Sequence, residues 1–125
     1  MPVVGIGTDI IEINRIVNMA DGTRDRLAKR VLTEVEYQYY QQTKRPERYL
    51  AKRWAGKEAA AKALGTGIAN GVSFQHISII SLTTGQPTLV LSERALEIAN
   101  AMNASHWHIS LADEKHYATA FVTLS

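Results

Sequence analysis

The sequence predicts an α+β domain in which an antiparallel sheet packs against one long helix. A helical stretch opens at Pro46 and continues to about Leu64, where Gly65 stops it. Downstream, two pairs of short β-branched segments, residues 76–82 with 88–91 and 106–111 with 117–124, read as hairpins. A further strand-like segment, residues 3–10, begins the chain. With 125 residues and 46% apolar content the chain can bury one core of ordinary size, so a single domain over residues 1–125 is expected.

Residues 3–10 are rich in Val and Ile but interrupted by Gly5 and Gly7, which suits a strand whose backbone comes close to a neighbour. Ile13, Ile16, Val17 and Ala20 then recur at helical spacing until Asp21-Gly22, and residues 23–30 read as a short basic helix. Thr33 and Glu36 have the spacing of a capping box that opens a third helix toward Gln42. Lys44-Arg45-Pro46 breaks that pattern before the long helix. Ser92 can cap a last helix to Asn103, with Leu96, Ile98, Ala99 and Met102 as its apolar positions.

Composition narrows the function. Charged residues make up 21% and the net charge is +2, so neither disorder nor a histone-like counterion role follows, and any basic function is local. The absence of cysteine removes disulfides, thiolate metal sites and cysteine nucleophiles together. No apolar run approaches the roughly 20 residues that cross a bilayer, and the start lacks the charged flank and apolar core of a signal peptide. A cytoplasmic protein without membrane association is the expectation.

On the long helix, Leu50, Trp54, Glu58 and Lys62 are four residues apart and share a face. A solvated Glu58–Lys62 pair would contribute only about 0.3–0.5 kcal/mol to the helix. Trp54 one turn earlier argues that this face packs, and a carboxylate on a packing face needs a partner such as a cation. Asp9 supplies a second carboxylate if the first strand lies beside this helix, an approach that Gly5, Gly7, Gly56 and the neighbouring alanines permit. The competing reading makes Asp9 the cap of the helix that follows it. Gly56 in mid-helix costs about 1 kcal/mol relative to alanine, so a steric reason for it is expected. Two carboxylates without histidine or thiolate companions suit Mg²⁺, which completes its octahedron with water and substrate phosphates. The implied substrate carries a phosphate or pyrophosphate.

Lys44, Arg45, Arg48, Lys52 and Arg53 agree with such a substrate, as does Lys62, although a basic run is also an ordinary solvated face. Gly65-Thr66-Gly67 either offers backbone N–H groups to a phosphate or stops the helix; the Walker spacing is absent. Arg15, Arg24, Arg26, Lys29 and Arg30 form a second basic group, diluted by Asp21 and Asp25, that suits a small acidic protein. His106 and His108 have no evident third ligand, and the serines lack a histidine and acid arrangement. A nucleic-acid binder using residues 44–53 would leave Asp9 and Glu58 without a purpose and lacks base-stacking aromatics, so no nucleic-acid partner is expected.

The blocks Gly7-Thr8-Asp9-Ile10, Glu12-Ile13-Asn14-Arg15-Ile16 and Arg53-Trp54-Ala55-Gly56-Lys57-Glu58-Ala59-Ala60-Ala61-Lys62-Ala63-Leu64-Gly65-Thr66-Gly67 closely resemble the bacterial holo-[acyl-carrier-protein] synthases, the enterobacterial type in particular. Gly85-Gln86-Pro87, residues 108–114 and residues 117–120 extend the likeness over essentially the whole chain. The resemblance implies the 4′-phosphopantetheinyl transferase fold and transfer of 4′-phosphopantetheine from coenzyme A to a serine of apo acyl carrier protein, for fatty acid biosynthesis. It implies release of adenosine 3′,5′-bisphosphate and a homotrimer with active sites between subunits. In such a site Asp9 and Glu58 would hold Mg²⁺ and Lys62 would add positive charge at the phosphates. Lys44, Arg45 and Arg53 would be candidates for the 3′-phosphate or the neighbouring pyrophosphate. Gly65, Thr66, Gly67, Gly85 and Pro87 would border the nucleotide, and Arg15 with Arg24 would meet the acidic carrier.

Two positions depart from the family's usual pattern. Gly56 stands where larger residues are common, and Asp113 stands where many relatives carry histidine. The general base stays open among Glu58, a metal-activated water and Asp113.

Overall fold

Strand β1 (Gly5–Glu12) leads into a short helix α1 (Ile13–Val17), followed by α2 (Asp21–Val31), α3 (Glu34–Gln42) and the long α4 (Pro46–Ala63). A 3-10 turn (Phe74–His76) precedes the hairpin β2 (Ile77–Ser81) and β3 (Pro87–Leu91), then α5 (Glu93–Ala101), β4 (Trp107–Asp113) and β5 (Tyr117–Leu124). These elements come from a computed structural model, which describes residues 2–125. No helix among the described residues is long and apolar enough to cross a membrane.

The strands form two antiparallel sheets rather than one. β1, β5 and β4 make a three-stranded sheet in that order, and β2 and β3 stand as a separate two-stranded sheet. β1 runs against β5 in the register Gly5↔Leu124 through Glu12↔Tyr117, so the two ends of the chain are zipped together. Along β1 the residues alternate: Gly5, Gly7, Asp9 and Ile11 face α4, while Ile6, Thr8, Ile10 and Glu12 point outward.

α4 is buried nearly all round, which is why it has little amphipathic character. Ala51, Ala55, Ala59, Ala60, Ala61 and Ala63 are all essentially inaccessible and pack with Ile11, Ala118, Ala120, Val122 and Leu124. Small side chains are required because the β1 backbone lies directly on the helix. A Cβ on Gly7 would sit 1.9 Å from the Ala59 carbonyl oxygen, and one on Gly5 would sit 2.3 Å from that of Ala63. Gly56 has its steric reason too, since a Cβ there would meet the tips of Ile79, Ile109 and Leu111 at 2.6–3.1 Å.

Several boundaries differ from the sequence expectations for local reasons. Asp21-Gly22 does not end the first helix; Asp21 opens α2, where its carboxylate is favourable at the helix start. Asp9 lies in mid-strand and Glu12 takes the position before α1, which removes the capping role for Asp9. Thr33 and Glu36 do form the capping box. Ser92 precedes α5 without a side-chain cap bond; its hydroxyl reaches the His76 carbonyl at 3.4 Å instead. Pro46 opens α4 as expected, and Gly65, at φ +80°, terminates it.

Candidate active site

Asp9 reaches the α4 side of the sheet because it follows Gly7 at the two-residue period of the strand. There it meets Lys62, whose ammonium donates to Asp9 Oδ1 and to the Thr8 carbonyl, both at 2.9 Å. Glu58 stands one turn before Lys62. Its carboxyl is pushed above the usual carboxylate range, first by burial and then by the negative charge of Asp9; Lys62, the Trp54 indole and Arg30 pull the other way. The Arg15 guanidinium covers the Trp54 ring at 5.4 Å, which places α1 at the edge of this group. A pocket of about 470 Å³ opens beside Asp9 and Lys62, walled by Thr8, Ser110, Thr119 and Phe121.

The raised carboxyl has a consequence for stability. The folded state binds a proton at Glu58 more readily than the unfolded chain does. That contribution is fully present below the unfolded pKa and is lost as pH rises through the folded value. Without metal, the ionised Glu58 therefore opposes folding at neutral pH. Glu58→Gln is expected to raise the melting midpoint by on the order of 2 °C at about pH 7.5 in EDTA, and to lose that advantage at about pH 4. A midpoint lowered at neutral pH would contradict this electrostatic picture.

A second concavity lies toward the start of α4, an open cleft of about 1330 Å³. Lys44, Arg45, Arg48, Lys52 and Arg53 line it, with Tyr39, Tyr49 and Ile80 as an apolar wall. Arg53 forms part of its floor and is only 8% exposed. It donates from Nη2 to Ser81 Oγ at 3.1 Å and lies 4.7 Å over the Tyr49 ring, while its buried Nε has no partner. An unpaired buried guanidinium N–H is costly unless an acceptor arrives, and a phosphate oxygen is such an acceptor.

Asp113 closes one end of this cleft. Its carboxylate bridges Arg48 at 2.7 Å and Lys52 at 3.3 Å, and Arg48 also donates to the carbonyls of Glu114 and Lys115. Burial alone would raise the Asp113 carboxyl, but the bonds from Arg48 and Lys52 outweigh it and hold it below the usual range.

The remaining sequence-predicted residues are placed less directly. The Gly65, Thr66 and Gly67 amides turn back onto the carbonyls of Lys62 and Ala61, so these donors belong to the helix end and not to an anion. Gly85 and Pro87 sit at the β2–β3 turn, which borders neither concavity. Arg24 faces inward along its helix: it donates to the carbonyls of Ile16, Val17 and Met19 and so braces the end of α1.

Sequence reasoning missed one feature, a buried ion pair between Glu36 and Lys57 at 2.6 Å. Glu36 was legible only as a capping residue. Lys57 stood out only by its place among Gly56 and the alanines, four residues after Arg53 and so on the same buried face.

A sequence profile of the 4′-phosphopantetheinyl transferase superfamily matches residues 5–122. The holo-[acyl-carrier-protein] synthase of Shewanella oneidensis is 56% identical over 124 residues, 99% of this chain and 98% of that protein. Among solved structures, the holo-[acyl-carrier-protein] synthase of Neisseria meningitidis superposes with a TM-score of 0.89 at 38% identity, covering 99% of both chains. The Bacillus anthracis enzyme, solved in complex with CoA (3′,5′-ADP), superposes with a TM-score of 0.80 at 37% identity, over 98% of this chain and 96% of that one. With Asp9, Glu58 and Lys62 gathered at one end of α4 and the basic cleft at the other, the chain belongs to the 4′-phosphopantetheinyl transferase superfamily, among the holo-[acyl-carrier-protein] synthases.

Proposed function

We propose that this protein transfers 4′-phosphopantetheine from coenzyme A to a serine of apo acyl carrier protein, releasing adenosine 3′,5′-bisphosphate. The observation that carries this reading is the Asp9–Glu58 carboxylate pair with Lys62 bonded to Asp9, at the far end of one helix from a basic cleft. The reaction serves fatty acid biosynthesis and places the protein in the cytoplasm.

The donor set fits Mg²⁺. It consists of hard carboxylate oxygens, and Glu58, raised first by burial and then by the charge of Asp9, is ionised more readily when a cation sits beside it. When bound, the ion would be held by Asp9 and Glu58 and would supply charge neutralisation at the pyrophosphate. Lys62 leaves its bond to Asp9 and turns its ammonium to the phosphate oxygens. Arg53, with its unpartnered Nε, anchors a phosphate at the floor of the cleft, and Lys44 and Arg45 hold the 3′-phosphate or the outer pyrophosphate oxygens. Arg48 and Lys52 are kept oriented by Asp113 until phosphate replaces it. The Gly65–Gly67 and Gly85–Pro87 turns line neither concavity of one chain and border the nucleotide from a neighbouring copy of it.

The two concavities of one chain share no lining residue. We read this as two halves of a site completed between copies of a homotrimer. The outer sheet face supports that assembly, since Ile6, Ile10, Tyr117 and Phe121 are 40–60% exposed there, an apolar surface next to Asp9. Light scattering on the eluted protein should give three times the 13.8 kDa chain mass.

The carrier docks beside Arg15, whose exposed guanidinium over Trp54 borders the carboxylate pair, and Arg24 contributes by holding α1 in place. Arg15→Glu is expected to raise the KM for carrier about tenfold while that for coenzyme A changes less than about twofold. Equal effects on both would remove α1 from the carrier surface. The reading as a whole is tested by incubating the protein with apo acyl carrier protein, coenzyme A and Mg²⁺ and weighing the carrier. No gain of a phosphopantetheine group, with an active synthase working in parallel, would sink it.

A further inference from the structure

We infer that the buried Glu36–Lys57 ion pair is a positioning device for the reaction, setting the rotation of α4 so that Glu58 faces Asp9. The inference rests on the assignment of Asp9 and Glu58 as metal ligands made above.

The pair is saturated on both sides. Lys57 is fully buried, and its ammonium donates to Glu36 Oε1 at 2.6 Å, to the Val31 carbonyl at 2.7 Å and to the Phe74 carbonyl at 3.2 Å. Glu36 Oε1 also accepts the Thr33 N–H, and Oε2 accepts the Ile79 N–H, each at 2.8 Å. One ion pair thus ties the end of α2, the start of α3, the 3-10 turn and β2 to a single side chain of α4.

The other side of α4 supplies that orientation less firmly. There the helix offers Ala59 and Ala63 to the bare backbone of Gly5 and Gly7. Such a smooth surface sets how close strand and helix come but resists rotation or sliding only weakly, and Lys62, which projects there to Asp9 and the Thr8 carbonyl, is half exposed. Lys57 and Glu58 are consecutive and project about 100° apart around the helix axis. Fixing Lys57 against four segments therefore fixes where Glu58 points. The Ile79 whose amide Glu36 holds also lays its side chain over Gly56, which adds a second stop on the same side. A buried ion pair is a poor stabiliser, because desolvation offsets most of its attraction, so an orienting role accounts for it better than a stabilising one.

The test compares wild type, the double variant Glu36→Gln/Lys57→Met, the shortened Glu36→Asp and the control Glu58→Ala. For each, the melting midpoint, kcat, the KM for coenzyme A and Mg²⁺ binding by calorimetry without other ligands are measured. The double variant removes both charges and keeps the volume but leaves the Val31 and Phe74 carbonyls without the ammonium, so it should stay folded with a midpoint lowered by several degrees. Its kcat and its Mg²⁺ affinity should each fall about tenfold or more, with the KM for coenzyme A within about threefold. Should the double variant unfold, the same split is read on Glu36→Asp. A folded variant with wild-type kcat and Mg²⁺ affinity overturns the proposal. Unfolding of both variants overturns it too, because the pair then holds the fold and not the site. If Glu58→Ala binds Mg²⁺ like wild type, the metal assignment itself has failed. If Glu58→Ala loses Mg²⁺ while the folded double variant keeps it, only the positioning role has failed.

Discussion

Asp9→Ala and Glu58→Ala should each lower kcat about a thousandfold, equivalent to about 4 kcal/mol of transition-state stabilisation, while the far-ultraviolet spectrum stays native. The two carboxylates come from different elements and have no third acidic, histidine or cysteine companion among the described residues that could take over as a ligand. Losing either leaves a single carboxylate beside Lys62: Asp9, already bonded to the ammonium at 2.9 Å, in Glu58→Ala, or Glu58, toward which the freed ammonium can turn, in Asp9→Ala. The metal loses its electrostatic reason to bind. The two losses should not add, because each variant already removes the same ion. Steady-state rates at saturating coenzyme A, with Mg²⁺ varied, check this: near-wild-type kcat in both variants would remove these residues from the metal site.

Gly7→Ala should destabilise the protein by about 3 kcal/mol or more and lower the melting midpoint by about 10 °C. The added Cβ would lie 1.9 Å from the Ala59 carbonyl oxygen and 2.8 Å from the Ala63 amide nitrogen. Both are backbone atoms of a buried helix and cannot rotate away, so the strand has to lift off the helix. Asp9, two residues along the same face, would move with it, so activity should fall together with stability. Gly56→Ala is the instructive contrast. Its Cβ would meet Ile79 Cδ1 at 2.6 Å, the end of a flexible side chain, and alanine recovers about 1 kcal/mol of helix propensity. Thermal melts of the two variants side by side should show a large loss for Gly7→Ala and a small net change for Gly56→Ala. A small effect at both positions would mean that β1 does not lie on α4 as described.

Local chemistry made much of the fold legible in the sequence. Pro46 and Gly65 bracket α4 because one needs no N–H at a helix start and the other takes a positive φ at its end. Thr33 and Glu36 announce α3 because a capping box is satisfied within four residues. The β2–β3 and β4–β5 hairpins follow from alternating patterns joined by short turns. The division into two sheets, and the pairing of β1 with β5 across the whole length of the chain, were not legible. Ladder partners separated by more than a hundred residues leave no local mark.

The candidate site divides along the same line. Residue type and helix phase placed Glu58 and Lys62 on one face and made Asp9 a possible companion, while the roles of these residues in phosphopantetheine transfer came from the resemblance to the holo-[acyl-carrier-protein] synthases. Only the tertiary structure chose between Asp9 as a cap and Asp9 as a partner of Lys62, because that choice depends on which face of β1 meets α4. The turn amides at Thr66 and Gly67 went to the helix end, Arg24 went to the α1 carbonyls, and Asp113 acquired Arg48 and Lys52. Each of these outcomes is a competition for hydrogen-bond partners between segments distant in sequence. The buried Glu36–Lys57 pair belongs here as well, since a lysine becomes a core residue only when folding brings it a carboxylate and two carbonyls at once.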